Sequence, residues 1–449
     1  MLISYVVYFN VELREDYANS PYNTKRQNAY QERVVRGDIL SADGEILATT
    51  SVDEEGNEYR NYPYGSVFAH VVGYSSSGTS GLEQKMNSHL LTSHANMFEQ
   101  VEHGFTNQKD IGDTIITTLD VKMQKAAYDA LGDRKGAVVV MEPDTGRILA
   151  LVSKPDFDPN TIREDWEEIT SDEESSRLLN RATQGLYPPG SIFKVVTALA
   201  YWQQYHTLDN FHFDCSGELT NGGFTIHCYK GSSHGEEDFY KAFAKSCNTA
   251  FAQIGVDLDL DLYKKTTQSL LFNSDLPLDI MYRQSSFSLD SKSGDALTMQ
   301  TAIGQGNTLV SPMHMAMITS AIANDGVMMT PYLVEKIESY DGNQVKTTSP
   351  KSYKKVMTEQ EADLLSELMA NVVENGTATA LSGKGYTVAG KTGTAEHGNV
   401  SETTPHSWFI GFSNVEDPDI VVCVIAEEAG SGSSVAVPIA NTIFEAYYK

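Results

Sequence analysis

A chain of 449 residues with 41% hydrophobic residues can bury a full core and has room for two domains, one of them large. Its 60 Asp and Glu against 33 Lys and Arg leave a formal net charge of −27. That balance excludes nucleic acid as a partner and excludes docking on anionic lipid through broad surface charge.

Residues 1 to 9 (MLISYVVYF) form an apolar stub, whereas a spanning helix needs about 20 residues, so the stub cannot cross a bilayer alone. An ordinary buried first strand is the alternative reading. Residues 10 to about 115 carry short strand-like runs, turns and a Ser/Gly-rich stretch from Tyr74 to Gly81, consistent with a small mixed domain that serves as a pedestal. From Gly136, the apolar runs GAVVVME and RILALVS are joined by Pro143-Asp-Thr-Gly146, which predicts a β-hairpin. The acidic run Glu164 to Glu174 (EDWEEITSDEE) reads as a solvated loop.

Tyr187-Pro-Pro-Gly190 then leads into Ser191, and Ile192 to Tyr205 is free of Gly and Pro, so a loop feeds a buried helix with Ser191 in its first turn. Free N–H groups and the positive end of the helix dipole favour negative charge there, by roughly 0.3–1 kcal/mol when exposed and up to about 2 kcal/mol when partly buried. Lys194 falls nearly one turn on, on the face of Ser191. It can accept the serine proton only if burial and a neighbouring positive charge, with Lys391 the candidate, lower its pKa from about 10.4. Phe193, Val195 and Val196 around it argue for burial over a solvated lysine.

Phe239 to Lys245 reads as a short helix that ends at Ser246-Cys247-Asn248. A serine here would relay a proton between Lys194 and a leaving group, and the Asn248 amide would hold Lys194 and a substrate carbonyl; a plain Ser/Asn turn is the bland alternative. Four cysteines permit three full pairings. Cys247 sits inside this motif and Cys423 inside a strand pattern (IVVCVIA), which leaves Cys215 with Cys228 as the attractive pair, bridged or reduced according to the redox niche. The pairs His227/His234 and His397/His406 lack ligand spacing, and no metal is expected.

The chain returns to strands at Tyr386 to Ala395, Ser407 to Phe412 and Ile420 to Ala426, and ends in a helix from Val435 to Tyr447. In the first of these, Lys391-Thr392-Gly393-Thr394 offers a cation and two hydroxyls, with a glycine that marks close approach of a ligand or another backbone. The Thr394 N–H would pair with that of Ser191 as an oxyanion hole. A bulged edge strand with a solvated lysine is the alternative. First and last thirds would build one antiparallel sheet with helices on both faces. Ser-x-x-Lys alone is weak, since Ser352-Tyr-Lys-Lys355 also fits it; only the Ser191 copy has Ser-x-Asn and Lys-Thr-Gly downstream. The conjunction reads as an acyl-transfer site.

These motifs resemble those of the penicillin-binding proteins and serine β-lactamases. Arg36-Gly-Asp-Ile-Leu-Ser-Ala-Asp-Gly-Glu-Ile-Leu-Ala48, Gly81-Leu-Glu83, Thr117-Thr-Leu-Asp120 with Gln124, Gly136 to Pro159, and Gly304-Gln-Gly306 with Ser311-Pro312 extend the resemblance to class B penicillin-binding proteins, over residues 30 to 445. Ser41-Ala42 departs from that family's usual Asp-Arg, and Cys247 stands where Ser or Asp is common.

The resemblance implies an α+β fold: a five-stranded antiparallel sheet covered by helices on both faces, with a small mixed N-terminal domain. Residues 1–10 would be the remnant of a membrane anchor, 11–115 a pedestal or dimerisation-like domain, and 116–449 the transpeptidase domain. The implied activity is D,D-transpeptidation of peptidoglycan stem peptides through an acyl-enzyme on Ser191. Lys194, Ser246, Asn248 and Lys391 would be catalytic, Thr392, Gly393 and Thr394 would bind substrate, and β-lactams would acylate the serine. No cofactor is implied. A polytopic membrane glycosyltransferase would be the partner, since no such domain fits in the first 100 or so residues, and the catalytic body would be extracytoplasmic. A β-lactamase or D,D-carboxypeptidase of the same superfamily is the first rival, although the Glu-x-x-Leu-Asn element of class A β-lactamases is missing after Ser-x-Asn. A non-catalytic β-lactam sensor or wall-assembly scaffold is the second, disfavoured by the intact set of catalytic residue types.

Overall fold

The structure, a computed structural model, describes Tyr5, Tyr8 and residues 33–94, 108–172, 174–397 and 403–449. Apart from Tyr5 and Tyr8, the segment read as an anchor remnant and residues 11–32 of the pedestal lie outside the described residues. Among the described residues no helix is long and apolar enough to cross a membrane. Two compact units divide the chain, and each is assembled from separate segments: residues up to 124 with 155–179 and 332–349, and residues 125–154 with 180–331 and 350–449.

In the first unit a six-stranded mixed sheet runs in the order Gln344–Thr347, Val334–Glu338, Thr114–Thr117, Ile39–Leu40, Ile46–Val52, Glu58–Asn61. The first two strands in this order are a hairpin that reaches it from far along the chain by antiparallel pairing with Thr114–Thr117. Ile39, Leu47, Ala48 and Ile115 are buried at its centre. Beside it, Glu83 is fully buried and accepts from two guanidiniums, Arg36 Nε at 2.6 Å and Arg60 Nε at 2.7 Å. Charges removed this far from water persist only when paired and hydrogen-bonded, and Asn87 Oδ1 and the Glu83 carbonyl take up further Arg36 donors. The acidic run is not a plain solvated loop: Trp166–Ser171 is a short helix. Ile169 and Trp166 supply the reason, packing on a small apolar cluster with Tyr74, Phe157 and Ile162 that the charge count conceals.

The second unit is built on a five-stranded antiparallel sheet. Its strands are β1 (Gly136–Met141), β2 (Ile148–Lys154), β3 (Val388–Ala395), β4 (His406–Ser413) and β5 (Ile420–Ala426), in the spatial order β3-β4-β5-β1-β2. Gly146, at φ +80°, closes the β1–β2 turn as the Pro-Asp-Thr-Gly signature requires. Every residue of β1, β2, β4 and β5 is buried. A sheet with alternating exposure would have one wet face; this one is covered on both. Main helices of the unit are α1 (Lys194–Tyr205), α2 (Phe239–Ala244), α3 (Asn248–Asp257), α4 (Pro312–Ile322), α5 (Glu359–Asn375) and α6 (Ala436–Tyr448). All eleven residues of α4 are buried, as its apolar composition around the whole helix demands. Phe444 of α6 meets Phe409 of β4 edge to face, with ring centroids 6.4 Å apart.

Candidate active site

Ser191 lies in a 3₁₀ turn, Gly190–Phe193, that precedes α1, so it sits just ahead of the α-helix and not in its first turn. The turn is pressed onto β3. Gly190 adopts φ +53°, and a Cβ there would come within 2.7 Å of the Thr394 carbonyl oxygen. Across the same seam, a Cβ on Gly393 would meet Ile192 Cγ2 at 3.0 Å and the Pro189 carbonyl at 3.2 Å. The glycine in β3 therefore admits the Ser191 turn itself. Trp408 on β4 anchors the turn from beneath by donating from Nε1 to the Pro188 carbonyl at 3.1 Å. Tyr187, which the sequence reading left without a role, donates to Glu427 at 2.6 Å beside the Arg181–Glu427 ion pair.

Ser246 closes α2 with backbone φ +58°. The Ser246 N–H donates to Phe243 O and the Cys247 N–H to Ala242 O, the two bonds of a Schellman cap. Glycine is the usual occupant of that left-handed position, and a serine held there costs about 1–3 kcal/mol. Cys247 is next the N-cap of α3, its sulfur accepting from the Ala250 N–H, and Asn248 opens that helix.

Lys194, fully buried at the start of α1, donates to the Ser246 carbonyl at 2.7 Å, to Asn248 Oδ1 at 2.8 Å and to Ser246 Oγ at 3.2 Å. Lys391, fully buried on β3, donates to the same Ser246 Oγ at 2.9 Å and to the Thr392 carbonyl at 3.1 Å. The Asn248 amide nitrogen donates one of its two hydrogens to the His227 carbonyl at 3.1 Å, and the second is left for a substrate carbonyl. Thr392 shares a hydroxyl bond with Thr377, a residue absent from the sequence reading because nothing local marks it. Strand β3 pairs with β4 in unbroken register at the sheet edge, without a bulge. Ser191, Ser246, Asn248, Thr392 and Thr394 line one cleft. The other Ser-x-x-Lys match, Ser352–Lys355, is an exposed strand.

Burial lowers the Lys194 pKa to about 8, against the opposing pull of Cys247, Cys228 and Glu237. Lys391 is held well below the ordinary lysine range by burial first and by the Lys194 charge second. Both amines are lowered, chiefly by loss of hydration, and together they hold fewer protons than two exposed lysines would.

All four cysteines are free and buried. Cys215 and Cys228 do approach each other, with sulfurs 3.7 Å apart and unbridged, but Cys247 and His234 join them. His234 reaches the sulfurs through strand pairing, which no interval along the chain announces.

The penicillin binding protein transpeptidase domain family matches residues 136–445, and the penicillin binding protein A dimerisation domain family matches residues 36–115. The chain belongs to the penicillin-binding proteins. It is 34% identical over 439 residues to the peptidoglycan D,D-transpeptidase PbpA of Mycolicibacterium smegmatis, covering 92% of this chain and 88% of that one. The ceftriaxone acyl-enzyme of penicillin-binding protein A from M. tuberculosis superposes with a TM-score of 0.86 at 30% identity, over 94% of this chain and all of the other. A D,D-transpeptidase domain from Eggerthella lenta gives 0.83 at 32% identity, over 92% and 98%. Among penicillin-binding proteins the solved neighbours are class B enzymes, and the α+β fold agrees with theirs.

Proposed function

We propose that Ser191 is the nucleophile of a serine-type peptidoglycan D,D-transpeptidase. The observation that supports this most is the convergence of two buried amines on Ser246 Oγ, in the cleft that Ser191 lines. A neutral amine of the pair, Lys194 by its place at the start of α1 three residues on from Ser191, takes the serine proton as Oγ attacks the carbonyl of the penultimate D-Ala. The bond to the terminal D-Ala breaks, and Ser246 passes the proton to the departing amine. The resulting ester is then attacked by the amine of a neighbouring stem peptide, which forms the crosslink and returns the proton to Ser191. Lys391, Thr392 and Thr394 hold the terminal carboxylate, the group that β-lactams imitate, and the N–H groups of Ser191 and Thr394 hold the oxyanion.

The first unit supports a pedestal role, with a polytopic membrane glycosyltransferase as partner and an N-terminal anchor that leaves the catalytic unit extracytoplasmic. A crosslinking assay with lipid-linked pentapeptide substrate and a polymerising glycosyltransferase tests the activity. Penicillin-sensitive crosslinked dimers are expected. Release of D-Ala without dimers would make the chain a carboxypeptidase, rapid nitrocefin turnover a β-lactamase, and acylation with neither a sensor.

A further inference from the structure

Three thiols and an imidazole that the reaction above does not use meet behind the Ser246 turn. The ligand atoms of Cys215, Cys228, Cys247 and His234 all lie within 4.8 Å of one another. Cys228 Sγ is 3.7 Å from the sulfurs of both Cys215 and Cys247, and His234 Nδ1 is 3.4 Å from Cys215 and 3.8 Å from Cys228. A tetrahedral zinc ion with Zn–S of about 2.3 Å and Zn–N of about 2.05 Å requires S···S edges of about 3.8 Å and S···N edges of about 3.6 Å. The four separations above lie close to those edges, and the remaining two are within 4.8 Å. Such distances are also those of close packing; what marks the cluster is that three thiols and an imidazole converge on one point.

We propose that these four residues form a closed structural site for Zn²⁺, and that the ion positions the Ser246-Cys247-Asn248 turn. The surroundings suit a cation. Thr249 Oγ1 donates to Cys215 Sγ at 3.2 Å and the Ala250 N–H donates to Cys247 Sγ at 3.4 Å, the kind of outer-shell donors that orient thiolates. Glu237, only 3% exposed, lies against the Cys247 thiol, and one of its carboxylate oxygens is 4.0 Å from His234 Nδ1. A buried carboxylate beside the cluster adds negative charge that favours a cation there. Three soft sulfurs and one nitrogen in tetrahedral array select zinc over the hard cations, and binding would release three thiol protons.

The placement explains what the ion does. Cys215 ends the strand Phe213–Cys215 and His234 precedes its antiparallel partner Gly235–Glu237, while Cys228 follows the hairpin Glu218–Asn221/Phe224–His227. These three ligands belong to one small β-lobe. The fourth, Cys247, stands between the two polar residues that hold Lys194. Zinc would tie the lobe to the turn and stabilise the left-handed Ser246 that the turn needs.

Metal analysis of the full chain, purified in thiol reductant without added metal, tests the site independently of any activity. One zinc per chain is expected, lost in Cys215→Ser and in His234→Ala and retained in Cys423→Ser, whose thiol lies outside the cluster. Cobalt replacing zinc should show a thiolate-to-metal charge-transfer band. Stripping the ion under reducing conditions should slow acylation by fluorescent penicillin ~10–100-fold, with recovery on zinc addition. Wild-type chain that holds no zinc even after reconstitution, or an intact mass short by two hydrogens that maps to a Cys215–Cys228 disulfide, would overturn the site. Bound zinc whose removal leaves acylation unchanged would overturn its positioning role.

Discussion

Lys194 and Lys391 come from a helix and a strand almost two hundred residues apart and aim at one oxygen, Ser246 Oγ, from 3.2 Å and 2.9 Å. Two desolvated amines on one hydroxyl can share a proton through it, so the acid limb of the reaction belongs to the pair. The acylation rate constant should therefore rise with pH, with its midpoint near 8, the value to which burial brings Lys194, and level off above it. Stopped-flow acylation from pH 6 to 10 measures this. A midpoint near 10.4, the ordinary lysine value, would remove the desolvated base.

Lys194→Ala should lower that rate constant by about 10²–10⁴, the usual contribution of a positioned base. Fluorescent penicillin labelling at matched protein concentration reads the effect. Equal labelling of variant and wild type would strip Lys194 of its role.

Ser246 holds a backbone conformation that glycine adopts freely. Ser246→Gly should stabilise the chain by about 1 kcal/mol while it abolishes efficient acylation, because strain is relieved and the relay hydroxyl is lost together. Ser246→Ala removes the same hydroxyl and keeps the strain. Thermal melts and acylation rates on both variants separate the two effects; a glycine variant that acylates normally would refute the relay.

Gly393→Ala asks for space, not for an unusual backbone. Its Cβ would stand 2.9 Å from Trp408 Cβ and 3.0 Å from Ile192 Cγ2, which pushes the Ser191 turn away from β3. A displacement of about 1 Å should cost about 10²-fold in acylation, with ~1–3 kcal/mol lost in stability. Unchanged acylation in a folded variant would mean that the seam does not set the nucleophile.

In the first unit, Glu83→Ala would leave two buried guanidiniums unpaired and should destabilise by about 3–5 kcal/mol. Burial alone would raise the Glu83 pKa, but Arg36 and Arg60 outweigh it and the net shift is downward. A depressed folded pKa gives stability that is full above the ordinary glutamate value of about 4.3 and is lost as pH falls through the folded value. Melting temperatures of wild type and Glu83→Gln from pH 7 to 3 should converge toward the acid end. A constant gap would show that the carboxylate charge contributes nothing.

Strand and helix positions around the site were legible because their signals are local. The Pro143–Gly146 turn, the apolar runs beside it and the glycine-spaced Lys391 strand each announce themselves within ten residues. Ser191 was misplaced by one structural step, since a 3₁₀ turn and the first turn of an α-helix share their sequence preferences. The His234 and Cys247 approach to Cys215 and Cys228 was invisible for a different reason: ligand spacing there is created by pairing of Phe213–Cys215 with Gly235–Glu237, a long-range event with no regular chain interval. Thr377 reaches Thr392, and Glu427 reaches Tyr187, the same way.

Intact mass followed by peptide mapping after brief exposure to a penicillin tests the central claim most directly. A single adduct on the peptide that carries Ser191 is expected, and none in Ser191→Ala. An adduct that persists in that variant, or an active wild type that takes up none, would contradict it.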